Sequence, residues 1–116
     1  MYENMSDYAQ SPYAGIEYHK SVVARMGAAD VENFLRLYLT PGADHMGVGA
    51  PASVDLLDAL TEWVEKGTAP GELVAVLQET KPPFGVLAAR PMCRYPAYPS
   101  YRGGDVTKAG SFMCKP

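Results

Sequence analysis

Periodic segments of this sequence alternate between the two regular structures, in the order helix, strand, helix, strand over its first two thirds. Such an order is typical of an α/β layer, in which helices cover a mostly parallel sheet. Parallel strands need both faces and their neighbours covered, and the two or three strand candidates found here are too few for a stable sheet. We therefore predict an α/β chain with an incomplete sheet.

The first predicted helix spans residues 13–26, with Ser11 as its N-cap, Pro12 at its first position and Gly27 as its stop. A short apolar strand follows at 34–39 and leads into a glycine-rich loop at 41–51. The order of these elements places that loop at the carboxyl end of a buried strand.

The second predicted helix runs from a Ser53 cap through Lys66, with Gly67 after it. Its apolar stripe consists of Leu56, Leu57, Leu60, Trp63 and Val64. Further strands are predicted at 73–77 and 85–89. From Lys81 onward, prolines, glycines and tyrosines interrupt every period, which predicts an extended, irregular tail.

Charge and hydropathy exclude two classes of partner. The net charge is -3, from 10 basic and 13 acidic residues with no long block of either sign, which argues against nucleic acid and anionic membrane surfaces. No apolar run approaches the roughly 18 residues of a membrane span. The N-terminal residues lack the basic and apolar regions of a secretory signal, so we expect none in this chain.

Two residues are candidates for acid–base chemistry. His45 lies in the glycine-rich loop, just past a predicted strand, where α/β-hydrolases place their general base. Asp7 precedes the first helix, and the order acid then histidine, with a serine earlier still, is the one that α/β-hydrolases use. From spacing alone, a surface histidine and a solvated loop acid remain open alternatives.

Other reactive side chains are weaker candidates. His19 falls within the apolar arc of the first helix and is expected at the core or its boundary, while Trp63 is expected to pack in the core. Cys93 and Cys114 could act as thiol nucleophiles, but neither has a histidine nearby in sequence, which favours a bridge worth about 3 kcal/mol. No serine has the flanking glycines of a nucleophile elbow, and no phosphate loop or metal cluster occurs.

Several collinear stretches lie along most of the chain: Ser11-Pro12 before Ile16-Glu17-Tyr18, Asn33-Phe34-Leu35-Arg36-Leu37-Tyr38 before Pro41-Gly42-Ala43-Asp44-His45, Trp63-Val64-Glu65-Lys66-Gly67, Arg90-Pro91-Met92-Cys93 and Ser111-Phe112-Met113-Cys114. Together they resemble the C-terminal part of the tannase and feruloyl esterase family of α/β-hydrolases. The resemblance implies hydrolysis of aromatic or phenolic esters by a Ser-His-Asp triad, in a secreted or periplasmic enzyme.

By this resemblance, Asp7 holds the imidazole and His45 serves as base and then acid for a serine that lies upstream. The Cys93 and Cys114 pair corresponds to a cysteine pair that is bridged in the family. Met46 stands where the family usually has a cysteine bridged to one beside the nucleophile. That tie between the serine and histidine loops is therefore expected to be missing.

The resemblance also implies that residues 1–116 are the C-terminal segment of a catalytic domain, with the nucleophile, the oxyanion hole and the lid domain outside it. Calcium in the family belongs to that lid, so we expect no cofactor in this chain and no activity of the chain alone. The alternative is a non-catalytic interaction protein that binds a partner, or itself, through an open sheet edge.

Overall fold

A computed structural model describes residues 1–116 as three pairs of strands with three helices and one 3-10 turn. The strands are β1 (Tyr2–Asn4), β2 (Tyr38–Thr40), β3 (Leu73–Gln78), β4 (Val86–Met92), β5 (Tyr98–Tyr101) and β6 (Phe112–Lys115). The helices are α1 (Tyr13–Met26), α2 (Ala28–Val31) and α3 (Leu56–Lys66), and the 3-10 turn is Ala109–Ser111.

The two long helices lie where the sequence predicts them, but their caps differ. The side chain of Ser11 makes no capping bond to α1, whose N-cap is Pro12. α3 begins three residues after the predicted Ser53 cap, because the Asp55 carboxylate accepts from the amide of Asp58 at 2.9 Å and starts the helix there. Gly67 ends α3 in the left-handed conformation, as its position predicts.

The expectation of a mostly parallel sheet is wrong for most of the strands. Only β1 and β2 pair in parallel, whereas β3 pairs with β4 and β5 with β6 in antiparallel register. The connection between β3 and β4 is residues 79–85, which is too short for the crossover of a dozen or more residues that parallel strands need. The short connection therefore explains why β3 and β4 form an antiparallel hairpin.

The predicted strand at 34–39 is also shorter than expected. The amides of Phe34 and Leu35 both donate to the carbonyl of Val31, so these residues close the turn after α2 and the strand begins only at Tyr38. β2 then lies between β1 and the segment after β4, where Leu39 N donates to the Cys93 carbonyl. The opposite edge of β1 has no partner.

The tail is more regular than its composition predicts. β5 and β6 form a hairpin in which Ser100 lies opposite Met113, and a disulfide joins Cys93 to Cys114 with a Cα–Cα distance of 5.5 Å. The predicted bridge is thus confirmed, and since no free cysteine remains, the thiol-nucleophile alternative is excluded.

Little of the chain is buried. Only 14 of the 116 residues are, and the largest cluster consists of Tyr38, Ala75 and Met92. α3 has no buried residue, and Leu57 on its apolar stripe is 75% exposed. His19 is half-buried with its ring edge-on to Tyr95, which fits the boundary position predicted for it.

Candidate active site

The two candidate residues follow neighbouring parallel strands. β1 and β2 pair with Asn4 opposite Thr40, so their carboxyl ends meet at the same edge. The pairing continues beyond the strands, because Met5 N donates to the Thr40 carbonyl and Ser6 N to that of Ala43, both at 3.0 Å. The loops carrying the acid and the histidine are therefore held side by side.

His45 and Asp7 form a hydrogen bond across these loops. Nδ1 of His45 lies 2.9 Å from Oδ2 and 3.2 Å from Oδ1 of Asp7. Because an ionised carboxylate only accepts, Nδ1 must carry the proton. That tautomer leaves Nε2 as the free acceptor of a neutral imidazole.

Asp7 is well placed to stay ionised. The hydrogen bond from His45 lowers the pKa of its carboxyl below the usual value, and backbone bonds from Gln10 and Ala9 act in the same direction. Its side chain is only 8% exposed. A fixed, charged acceptor of this kind orients a histidine and stabilises the imidazolium that forms when the histidine takes up a proton.

The loop around His45 depends on glycine at particular positions. Gly42, Gly47 and Gly49 all have positive φ, at 82°, 74° and 98°. A Cβ added to Gly49 would lie 2.8 Å from the carbonyl oxygen of Gly42, so no other residue fits there without a shift. This tight turn projects the His45 side chain, which is 46% exposed, at the rim of an open depression of about 260 Å³.

Two further residues shape the site, and neither was singled out from the sequence. The Asp44 carboxylate accepts from the amides of Met46 and Val48 at 2.9 and 2.8 Å, and Asn4 Nδ2 donates to the Asp44 carbonyl at 2.8 Å. An aspartate among glycines is a recognisable turn-former, and that signal could have identified Asp44.

The arrangement brings a carboxylate and an imidazole together, and neither is hydrogen-bonded to a hydroxyl or a thiol group. No serine hydroxyl is hydrogen-bonded to His45, and both cysteines are in the disulfide. Met46 is 74% exposed and provides no thiol for a covalent tie. No group of three or more histidine, cysteine, aspartate or glutamate side chains is placed to hold a metal ion, and none of the helices has the length and apolarity to span a membrane.

An aspartate followed later in the chain by a histidine is the order in which α/β-hydrolases carry these two partners of their triad. Solved structures with the same arrangement of chain are esterases of this type. An esterase from Aspergillus oryzae superposes with a TM-score of 0.85 at 24% identity, and feruloyl esterase B from the same organism with 0.81 at 25%. Each alignment covers 98% of this chain and 26% of the other.

The family model described as tannase and feruloyl esterase matches residues 1–115, and this chain belongs to that family. It is 38% identical over 117 residues to a probable feruloyl esterase of Arthroderma benhamiae. The alignment covers 97% of this chain and 22% of the relative. It is 40% identical over 119 residues to a mono(2-hydroxyethyl) terephthalate hydrolase of Piscinibacter sakaiensis. This alignment covers 98% of this chain and 19% of the relative. The chain thus spans about a fifth of the length of these relatives.

Proposed function

We propose that this chain is the C-terminal part of a serine carboxylic ester hydrolase acting on aromatic or phenolic esters, with Asp7 as the acid and His45 as the base of its triad. The observation that carries the proposal is the 2.9 Å bond between Asp7 and His45 Nδ1, which leaves Nε2 free. His45 takes the proton of the attacking hydroxyl and later returns it to the leaving alcohol, while Asp7 stabilises the charged imidazole. The substrate class is supported by the two relatives, a probable feruloyl esterase and a mono(2-hydroxyethyl) terephthalate hydrolase.

The proposal places the serine, the oxyanion hole and a lid domain in a portion of the enzyme outside these 116 residues. Without a nucleophile and oxyanion donors, the chain alone performs no acyl transfer. Any calcium belongs to the lid and not to this chain. The disulfide supports a secreted or periplasmic location, because such bonds persist in oxidising compartments.

A chimera tests the proposal. This chain would replace the matching 22% of the Arthroderma benhamiae relative, and hydrolysis of an aryl acetate and of an alkyl ester of an aromatic acid would be measured. We expect turnover of both, and a loss of at least roughly 10³-fold in kcat with His45→Ala or Asp7→Ala, since triad members act as a unit.

His19→Gln is the matched control for that loss, because it removes the other histidine of the chain and should leave turnover unchanged. A folded chimera that turns over neither ester, or that keeps its rate after His45→Ala, would contradict the proposal. The isolated chain should be inactive. Turnover by it that is abolished by His45→Ala and by a serine-directed inhibitor would show that one of its own serines is the nucleophile.

A second candidate function is that of a non-catalytic interaction protein. It is favoured by the unpaired edge of β1 and by the exposed apolar residues of α3. Both are surfaces on which a partner, or a second copy of the chain, could dock. A monodisperse dimer that unfolds cooperatively would support this function over the first.

A further inference from the structure

Asn4 touches both loops of the candidate site. It is the last residue of β1, and its carbonyl accepts from the amide of Asp7 at 3.1 Å, which closes the turn leading to the acid. Its side-chain Nδ2 donates to the carbonyl of Asp44 at 2.8 Å, directly before His45. One residue therefore fixes where the acid loop starts and where the histidine loop lies relative to it.

Asp44 organises the histidine loop from within. Besides accepting from the amides of Met46 and Val48, its backbone amide donates to the Val48 carbonyl at 2.9 Å and its carbonyl accepts from Gly47 at 3.0 Å. These bonds close the chain around His45 on the C-terminal side. The Asp44 carboxylate bonds backbone amides and not the imidazole, so Asp7 remains the acid partner.

Side-chain packing does little to hold His45. Nearly half of its side chain is exposed, and its nearest aromatic neighbour, Tyr8, has its ring centre 6.1 Å away and is itself mostly exposed. The direction of the imidazole is consequently set by its hydrogen bond to Asp7 and by the backbone of its own loop. A displacement of about 1 Å would lengthen the 2.9 Å bond to Asp7 beyond hydrogen-bonding range.

We propose that Asn4 and Asp44 are positioning residues for His45, which keep its Nδ1 on Asp7 through hydrogen bonds to the loop backbone. The catalytic purpose of these hydrogen bonds rests on the proposed function. The geometry that they maintain can be measured without any substrate. The side-chain bond from Asn4 to the Asp44 carbonyl joins the acid and histidine loops beside the backbone bonds of Met5 and Ser6. The bonds that the Asp44 carboxylate accepts hold the histidine loop in its own shape.

The experiment follows the Asp7–His45 bond by NMR in the full 116-residue chain. The tautomer of His45 is read from its imidazole nitrogen shifts, and the pKa of Asp7 from the titration of its carboxyl carbon. In Asp44→Ala we expect loss of the Nδ1–H form as the dominant tautomer and a rise of the Asp7 pKa towards 3.8. Asp44→Asn should retain both properties, because an amide oxygen still accepts from the two backbone amides.

Asn4→Leu removes the bond to Asp44 at similar volume and should shift both signals in the same direction as Asp44→Ala. Asp55→Ala is the matched control, since it removes an aspartate that caps α3 by the same kind of bond, away from the site. It should leave both signals at their wild-type values.

Wild-type signals in folded Asp44→Ala and Asn4→Leu would overturn the proposal, as would equal shifts in Asp55→Ala. If Asp44→Ala does not fold, Asn4→Leu and Asp44→Asn decide between the same outcomes. Failure of the chimera to hydrolyse esters would leave these NMR results intact. The two proposals therefore fail independently.

Discussion

The carboxylate of Asp7 links the geometry of the site to the stability of the fold. Because the hydrogen bond from His45 lowers its pKa in the folded chain, the ionised group stabilises the fold above its unfolded pKa. This stabilisation is lost as the pH falls through the lowered pKa. We predict that the difference in free energy of unfolding between wild type and Asp7→Asn declines as the pH falls below 3.8. Urea unfolding at a series of pH values measures it, and a difference that grows towards lower pH would contradict the assignment.

The second prediction concerns the contact between Gly15 on α1 and the side chain of Glu3. A Cβ at this position would overlap the Glu3 side chain, whose pKa is raised by desolvation and, to a lesser extent, by the charge of Asp7. In the wild type, Gly15→Ala should therefore displace the Glu3 side chain, and the cost of this displacement should offset part or all of the gain in helix propensity. In a Glu3→Ala background the same change should stabilise by up to about 1 kcal/mol, since alanine is the better helix former.

Thermal or urea unfolding of the four proteins in this double-mutant cycle gives the coupling between positions 3 and 15 directly. Equal effects of Gly15→Ala in both backgrounds would mean that Glu3 does not lie over α1 in solution.

Local sequence patterns predict the elements whose bonds are themselves local. α1 and α3 follow from apolar spacing and from Gly27 and Gly67, which stop them. The three-residue strand β1 has no recognisable local pattern, because the strand that it pairs with, β2, begins only at Tyr38. The Asp7–His45 and Asn4–Asp44 contacts depend on that pairing. The first was predicted only through a family resemblance, and the second was not predicted at all.

A buried leucine before β2 and an exposed leucine on the apolar stripe of α3 should differ in how much each contributes to stability. Leu37, before β2, is 1% exposed, so Leu37→Ala should cost about 2–5 kcal/mol in the isolated chain. Leu57, on the stripe, makes little contact, and Leu57→Ala should change stability by no more than about 0.5 kcal/mol. Urea denaturation at low protein concentration measures both. A large effect of Leu57→Ala would show that something, such as a second copy, covers α3 in solution.

The molecule as a whole exposes more surface than its mass requires. Its accessible area is 7256 Å², whereas a folded monomer of 12.5 kDa should expose about 6,200 Å². Its radius of gyration of 14.8 Å also exceeds the roughly 13 Å expected for this length. The excess of about 1,100 Å² is at least the area that one partner buries in a standard protein interface.

This excess predicts how the isolated chain behaves in solution. The free edge of β1 and the α3 stripe are unlike surfaces, and head-to-tail contacts between unlike surfaces do not close after two copies. We therefore expect the chain to bind a hydrophobic dye and to associate into species of several masses as its concentration rises. In the chimera, we expect the rest of the relative to cover the β1 edge and the α3 stripe, so that dye binding and association both disappear. Sedimentation velocity and dye fluorescence on the two proteins test this, with Leu57→Glu and Val64→Glu together expected to reduce dye binding.

A single dimeric species in the isolated chain would instead favour the interaction protein, because a self-complementary face closes after two copies.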